Sequence, residues 1–272
     1  MEHSSTPKHG VRFSHQDADH LRAQIRDLSR THRALRKCWA RLLYDLLAIA
    51  SKVRPAVLLD YVGSMTRESL EQIVCCINSR RRHWCVMFHE DAWFVLNPGE
   101  LCGKLAVKND RALVVCAKGH GCNLIDEKDS KEFLDLRERV LWFVQSSFVG
   151  GDYFADFPAP EGNLSMVTLT GLLLDYPIIY NIDKIELPSA RGAFVGCSLD
   201  IVNIELDSSI VQSHCQLLCF SVPKVIVSRE SKVNNLIESL VSRLKSSAKE
   251  HQDLWGDTRT NVSLAPGHSI TL

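Results

Sequence analysis

The sequence has no long hydrophobic run and no apolar segment near its start. No stretch of its 272 residues approaches the roughly 20 consecutive apolar residues that span a bilayer. The opening MEHSSTPKHG is polar, and no apolar core follows it within the first thirty residues. We therefore expect neither a transmembrane segment nor a secretory signal. We expect a cytoplasmic protein, with the nucleus as a second compartment.

The sequence also lacks the short motifs of several enzyme classes. Residues 118–121 (KGHG) are rich in glycine, but the Lys-Ser or Lys-Thr pair of a P-loop does not follow them. No G-x-G-x-x-G or G-x-S-x-G pattern occurs, so neither a dinucleotide site nor a serine hydrolase of that class is indicated. No cofactor is implied. Enzymatic activity stays open, because catalytic residues often meet only in the folded chain.

The overall composition is that of a globular protein. Apolar residues make up 45 % of the chain and charged residues 24 %, which excludes a chain that is mostly disordered. The ten cysteines have no secretory context. We interpret them as reduced thiols, most of them buried as small hydrophobic side chains.

The charges are unevenly distributed, although 32 basic and 32 acidic side chains cancel overall. Residues 1–83 carry 15 basic and 8 acidic side chains, whereas residues 84–210 carry 10 basic and 19 acidic ones. Two interpretations remain open. The basic N-terminal part either packs against the acidic body of the same chain or meets an acidic partner.

One long basic amphipathic helix is predicted from about residue 17 to residue 51, with Asp17 or Asp19 as its N-cap. Apolar side chains recur at spacings of four and three from Leu21 to Ile49, which places them in one stripe. A separate arc holds Arg22, Arg26, Arg30, Arg33, Lys37 and Arg41. Such an arc is most often an ordinary solvated surface, but it also suits phosphates, acidic lipid or an acidic protein groove. The interleaved aromatic residues of a nucleic-acid reader are missing, so we favour a protein partner.

The remaining segments predict an α+β fold, or an α/β fold with a mixed sheet. Residues 84–88 and 92–96 are predicted to form a hairpin, and a C-terminal helix is predicted over residues 229–249. The order of elements contains no regular βαβ alternation. We expect a single domain over residues 17–250, which could divide near 150–162. A disordered tail over residues 1–16 and a polar tail over residues 251–272 would flank it.

Part of the sequence resembles a known family. Residues 166–182 (MVTLTGLLLDYPIIYNI), residues 194–197 (FVGC) and residues 56–63 are similar to the animal family of the chromosome-1 open-reading-frame-74 type. The resemblance covers most of the chain and implies an intracellular animal protein, but no activity, cofactor or site residue. Helix and strand both fit residues 164–182, and Tyr176-Pro177 favours a helix followed by a strand.

Asp60 is the most suggestive carboxylate. It ends the apolar run Ala56–Asp60 (AVLLD), and the C-terminal end of a strand is where α/β sheets bind ligands. Asp152 and Asp156 lie in the glycine- and proline-rich segment 150–162, which could line the same pocket. Asp175, in a second LLDY, has the same interpretation. Each of these carboxylates could instead accept backbone hydrogen bonds in a turn.

A metal site is the second candidate. Cys116, His120 and Cys122 lie close together, and Cys85 and His89 are expected on a neighbouring strand. Zinc binds such side chains, but these spacings are not those of a zinc knuckle or ribbon. We therefore favour buried thiols and surface imidazoles over a metal centre.

Two functions remain in play at this stage. The first is a non-enzymatic protein-interaction module that uses the basic N-terminal helix and the acidic body. The alternative is a small-molecule hydrolase or transferase, with Asp60 at a strand end and residues 150–162 lining its pocket. The sequence carries no signal for the oligomeric state.

Overall fold

The computed structural model describes residues 13–62, 65–78, 84–107, 112–118, 121–126, 130–148, 153–158, 165–181, 199–211, 213–227 and 231–265. The helices are α1 (His15–Thr31), α2 (Trp39–Ala50), α3 (Arg67–Asn78), α4 (Pro98–Ala106), α5 (Lys131–Phe148), α6 (Met166–Leu173), α7 (Lys224–Val227) and α8 (Ser231–Glu250). The strands are β1 (Ala56–Leu58), β2 (Cys85–His89), β3 (Ala92–Leu96), β4 (Leu113–Lys118), β5 (Gly121–Asp126), β6 (Phe154–Asp156), β7 (Ile178–Asn181), β8 (Leu199–Ser208), β9 (Ser213–Pro223) and β10 (Trp255–Ala265).

The described strands form three sheets. In the first, ordered β1-β3-β2-β6, β2 runs antiparallel to β3 and parallel to β6. The second, ordered β5-β4-β7, also combines an antiparallel and a parallel pair. The third, ordered β10-β8-β9, is antiparallel. The predicted α+β fold is confirmed, and so is the hairpin of β2 and β3.

Two hydrophobic cores lie on opposite faces of the first two sheets. Successive residues of a strand point to opposite faces, and Val86 accordingly joins one core while Met87 joins the other. The first core packs α1, α2, α8 and the third sheet. The second packs α4, α5 and α6. Strands buried on both faces explain the nearly continuous apolar runs in β2 and β4.

The N-terminal helix differs from the single helix predicted over residues 17–51. It is two helices, α1 and α2, separated by a 3₁₀ turn at Arg33–Arg36. The hydroxyl of Thr31 donates to the carbonyl of Leu28, and that of Ser29 to the carbonyl of Arg26. Such bonds compete with the helical backbone pattern. The break contains no glycine or proline, and the apolar periodicity continues through it. The sequence therefore predicts one helix where the structure has two.

The N-cap of α1 is also different from the predicted one. Ser14 is the cap, and Asp17 is its partner three residues later. The Ser14 hydroxyl accepts from the Asp17 N–H at 3.3 Å, and the Asp17 carboxylate accepts from the Ser14 N–H at 3.0 Å. This reciprocal pair is a capping box.

Two further segments depart from the sequence-based expectations. The polar tail predicted over residues 251–272 holds β10, whose residues pair with β8 from Trp255 to Ala265. The segment 150–162, expected as an irregular connection, holds β6, which adds to the edge of the first sheet beside β2. By contrast, the helix-then-strand interpretation of residues 164–182 is confirmed by α6 and β7.

Among the described helices, none is both long and apolar enough to cross a membrane.

Candidate functional site

The outer side of α1 carries three of the predicted basic residues at intervals of four. Arg22, Arg26 and Arg30, which we call the arginine face, line a shallow, open groove between the side-chain rows of this one helix, together with Asp19, Ala23 and Asp27. Arg26 and Arg30 are exposed. Arg22 is half-buried, and its Nε has no hydrogen-bond partner among the described residues.

Contacts with neighbouring side chains, one on α2 and one on α1, orient two of these arginines without burying them. The guanidinium of Arg26 lies 5.0 Å from the centre of the Trp39 ring, a cation–π contact. Arg30 Nη1 lies 2.9 Å from Asp27 Oδ1, and both side chains are at least 70 % exposed. An ion pair so exposed contributes little to stability. Both arginines can therefore exchange these contacts for those of a ligand.

The break between the helices separates the other three predicted basic residues from the arginine face. Arg33 and Lys37 are exposed in and beside the 3₁₀ turn. Arg41, on α2, points inward: its Nε donates to Asp45 Oδ2 at 3.0 Å, and its Nη1 donates to the carbonyl of Gln216 at 2.6 Å. The six basic residues therefore do not form one continuous arc.

Asp45 is the centre of a buried polar network between α2 and β9. Its side chain is 1 % exposed, and its Oδ2 accepts a hydrogen bond from the Tyr61 hydroxyl at 2.8 Å as well as from Arg41. Its Oδ1 is buried without a partner among the described residues. Burial raises the pKa of Asp45, although Arg41 and Arg54 act in the opposite direction.

Arg54 is the second buried ion of this network. It is 4 % exposed, and its Nη1 donates to the carbonyl of Leu217 at 2.9 Å. Its Nε is buried without a partner in the described part of the chain, and burial lowers its pKa. The pKa of Tyr61 is raised well above its usual value by burial and by the Asp45 carboxylate.

The predicted catalytic carboxylates have separate surroundings. Asp60 is exposed at the start of the 3₁₀ turn that follows β1, and its charge contributes to a raised pKa of Tyr176, for which burial is the larger cause. Asp156 is exposed on β6 and accepts from Arg67 Nη1 through both carboxylate oxygens at 3.1 and 3.2 Å. Asp152 lies outside the described residues.

The metal candidates fall largely outside the described side chains. Those of Cys116 and Cys122, and the whole of His120, are not described, and the described residues hold no group of three or more metal-binding side chains. Cys85 and His89 lie on β2, which pairs with β3 and β6, whereas Cys116 lies on β4, which pairs with β5 and β7. The expectation that these strands are neighbours is wrong, because α4 carries the chain from one sheet to the next.

Asp175 is held between two cations from other helices. Its Oδ2 lies 2.8 Å from Lys104 Nζ on α4 and 2.8 Å from Arg243 Nη2 on α8. The Lys104 side chain is only 18 % exposed. Burial lowers the pKa of Lys104, and the nearby Asp175 carboxylate opposes that shift.

The backbone of Asp175 ends α6 in a left-handed conformation, with φ of 58°. The Tyr176 N–H donates to the carbonyl of Gly171 at 3.0 Å, and the Asp175 N–H donates to that of Leu172 at 3.3 Å. These two bonds form a Schellman motif, in which the left-handed position is usually glycine. The sequence therefore holds an aspartate where the backbone favours the residue without a side chain.

Sequence reasoning identified Asp175 but missed its partners. Lys104 and Arg243 lie on separate helices, and Lys104 is 71 residues from Asp175. No spacing rule connects positions so far apart. The helix α4 was itself missed, although Asn97 and Pro98 form a recognisable start: Asn97 caps the helix, and Pro98 occupies its first turn.

Most of the chain matches a known protein family. Residues 26–272 match a family described as Domain of unknown function (DUF4504). Comparison with curated proteins and with solved structures gave no match. The match includes α2, the buried network and the Asp175 cluster, and it begins within α1 at Arg26. The chain therefore belongs to the DUF4504 family.

Proposed function

We propose that this protein is an interaction module that binds an acidic segment of a partner protein on the arginine face of α1. The observation that carries the proposal is the groove along this helix, in which three arginines lie one turn apart. An acidic peptide laid along the groove meets a guanidinium at each turn of the helix. Each contact is a charge-assisted hydrogen bond, which is stronger than a neutral one.

The balance of charge around the groove supports an acidic occupant. Asp19 and Asp27 share the groove with the three arginines, and Arg33 and Lys37 add two exposed cations just beyond the end of α1. The positive charge therefore exceeds the negative charge over this surface. The acidic central part of the sequence is a second source of such a segment, so a second copy of the chain is an alternative occupant for the experiment to distinguish.

The test is a charge reversal at exposed positions. We expect Arg26→Glu combined with Arg30→Glu and Arg33→Glu to abolish binding of a labelled polyglutamate peptide to the full chain, measured by fluorescence anisotropy. The affinity of the wild-type chain should fall as salt is added, because salt screens exposed charges. Arg22 is left unchanged because it is half-buried.

A matched variant controls for net charge. Lys131→Glu, Arg139→Glu and Lys249→Glu reverse three exposed cations elsewhere on the protein, and we expect this variant to bind as the wild type does. Equal binding by wild type and the arginine-face variant would refute the proposal. Sedimentation velocity, run on the same samples, separates a peptide partner from a second copy of the chain.

A hydrolase or transferase centred on Asp60 is the second candidate function. It is favoured by one observation: an exposed carboxylate follows β1, and its charge contributes to the raised pKa of Tyr176, for which burial is the larger cause. Asp156 adds less support, because its carboxylate is engaged by Arg67. Asp60→Asn, which keeps the shape of the side chain, is the variant that would probe this activity.

A further inference from the structure

The short helix α4 lies beside a small cavity in the second core. The cavity has a volume of about 40 Å³, which is room for only a few water molecules, since each needs roughly 10–15 Å³. Its wall includes three residues of α4 and one each of α5, α6 and β7, namely Leu101, Lys104, Leu105, Phe133, Leu172 and Ile179. Side chains that border a void lose packing contacts there. The packing of α4 on the second core is therefore incomplete.

The apolar surface that α4 buries is also small. The helix has nine residues, of which Pro98, Leu101 and Leu105 are buried, whereas the neighbouring helix α5 buries seven of its residues. A helix as short as α4 is marginal in water and depends on its tertiary contacts. We therefore expect contacts other than apolar packing to keep α4 in place.

Five charged side chains of alternating sign supply such contacts, and we call them the ion chain: Lys52, Glu100, Lys104, Asp175 and Arg243. Lys52 Nζ lies 2.8 Å from Glu100 Oε1, and Lys104 Nζ and Arg243 Nη2 each lie 2.8 Å from Asp175 Oδ2. Glu100 and Lys104 are one turn apart on α4, a spacing at which opposite charges attract. Burial lowers the pKa of Lys104, and both Asp175 and Glu100 oppose this shift. Each charge of the ion chain therefore has a neighbour of opposite sign.

The ion chain connects α4 to elements of both cores. Lys52 follows the end of α2, and Arg243 lies on α8, and both of these helices pack in the first core. Asp175 follows α6, which packs with α4 in the second core. The side chains of Lys104 and Asp175 are 18 and 21 % exposed, whereas that of Lys52 is 62 % exposed. Because a shielded ion pair is more costly to break than an exposed one, the main link runs from α4 through Asp175 to α8.

The backbone is left-handed at two members of the ion chain. Lys52, just after α2, has φ of 59°, and Asp175, just after α6, has φ of 58°. Non-glycine residues are strained in this region, and such strain persists only where the surrounding structure holds it. Glycine would end both helices with less strain, but it has no charged group to pair with α4. Both helix ends therefore keep a charged side chain that holds α4, despite the strain.

We propose that α4 is a lid on the second core and that the ion chain holds this lid shut. When the ion chain breaks, α4 moves away from the cavity and exposes its apolar wall, while the first core and the sheets stay folded. Such a local opening needs less free energy than the unfolding of the whole chain. The lid lies apart from the arginine face, so this inference does not rest on the function proposed above.

Native-state hydrogen exchange of the full chain, read by mass spectrometry, tests the lid. In the wild type we expect the amides of α4 to exchange at urea concentrations at which those of α2 and β8 are still protected. Lys104→Met removes a charge and keeps the length of the side chain, and Asp175→Asn removes a charge and keeps a residue that tolerates the left-handed region. We expect each variant to accelerate exchange in α4 by about tenfold or more, with α2 and β8 unchanged. The double variant should exchange no faster than the faster single variant, because either change breaks the same link.

Two matched variants control for the loss of a charge. Lys249→Met and Asp135→Asn make the same changes at exposed positions outside the ion chain. We expect both to exchange as the wild type does in α4, α2 and β8.

Two cysteines provide a second measurement that needs no variant. Cys102 lies on α4 and Cys85 on β2, and both contact the second core. We expect iodoacetamide to modify Cys102 faster as urea is raised within the range in which the chain stays folded. Cys85 should react only when the whole chain unfolds, because it is buried in the sheet and not under α4 alone.

Three results would overturn the proposal. The first is exchange of α4 in the wild type only together with α2 and β8, or modification of Cys102 only together with Cys85. The second is an exchange rate in α4 that neither Lys104→Met nor Asp175→Asn changes. The third is equal acceleration of all segments by these variants, which would mean that the ion chain stabilises the whole fold and holds no lid. The wild-type measurements decide the question if neither variant folds.

Discussion

At the scale of single residues, Asp45 presents the most demanding electrostatics in the described part of the protein. The fold has almost wholly removed this carboxylate from water, and it compensates one oxygen with Tyr61 and Arg41 while leaving the other without a described partner. A buried ion is tolerated only when paired. The network therefore ties α2 to β9 and to the turn after β1. Removing one member leaves the others buried without their partner, which lowers the stability of the fold.

Asp45→Asn tests this dependence. The change keeps the shape of the side chain but removes the negative charge that faces Arg41 and Arg54. We expect the free energy of unfolding to fall by about 1–3 kcal/mol, because the amide nitrogen takes the place of the oxygen that has no partner among the described residues and is left as an unsatisfied buried donor. Urea unfolding followed by circular dichroism measures it. Asp135→Asn, at an exposed position on α5, is the control and should change stability by less than about 0.5 kcal/mol.

The same two proteins give a check on the pKa of Asp45. Because burial raises that pKa, the folded state keeps a proton on Asp45 over a pH range in which the unfolded chain has lost it. Asp45 therefore favours folding below its ordinary pKa of about 4, and this contribution is lost as pH rises through its higher pKa in the folded state. The stability of the wild type relative to Asp45→Asn should increase as pH falls through that window. A decrease would mean that the pairing with Arg41 and Arg54 outweighs burial.

At the scale of helices and strands, the ends of the elements hold most of what periodicity could not predict. The stripe of apolar residues continues through the break between α1 and α2, so it does not show where α1 ends. That end is marked by the hydroxyls of Ser29 and Thr31, which donate to backbone carbonyls. The end of α6 is similar. Its Schellman motif uses Asp175, so the usual glycine signal for a helix end is missing.

A comparison of two variants at Asp175 separates its backbone strain from its side-chain role. Asp175→Gly and Asp175→Ala both remove the carboxylate and its two ion pairs, but only glycine adopts φ near 58° without strain. We expect the alanine variant to be less stable than the glycine variant by about 1 kcal/mol. Thermal unfolding of the two proteins measures the difference. Equal stability would show that residue 175 leaves the left-handed region once its carboxylate is gone.

At the scale of the whole molecule, the first hydrophobic core joins the two ends of the described chain. Trp255, at the start of β10, is 3 % exposed and meets the ring of Tyr44 edge-on, with 5.4 Å between ring centres. Its indole Nε1 donates to the hydroxyl of Ser51 at 2.9 Å. The segment predicted from its polar residues as a tail therefore completes the core around α2.

Trp255→Ala should consequently destabilise the entire fold. We expect the free energy of unfolding to fall by about 3–5 kcal/mol, because a large buried side chain is replaced by a cavity. Trp255→Phe removes part of the ring and the hydrogen bond to Ser51. We expect the lost hydrogen bond to account for about 1 kcal/mol of the loss in stability. Trp142 is 68 % exposed, and Trp142→Ala is the matched control with little expected effect. Similar losses for Trp255→Ala and Trp142→Ala would mean that β10 contributes nothing to the core.

The sequence by itself determined the local features of this protein. The period of its apolar residues predicted the amphipathic helices, two β-prone runs on either side of residues 89–91 predicted the hairpin of β2 and β3, and Tyr176-Pro177 predicted the change from α6 to β7. Together these predicted the α+β class. All of them depend on neighbours within about two turns of a helix or a few residues of a strand, and such relations can be seen in a single sequence.

Only the tertiary structure decided which charges meet. The pairing of Lys104 and Arg243 with Asp175, and of Arg41 and Tyr61 with Asp45, follows from how helices pack on sheets, and the spacing of residues does not encode it. The polar residues of β10 gave no apolar alternation, and the pairing with β8 that orders this strand is non-local. The arginine face was visible in the sequence. The cluster of Asp175 with Lys104 and Arg243 was not, because its members lie on or beside three helices that are far apart in the sequence.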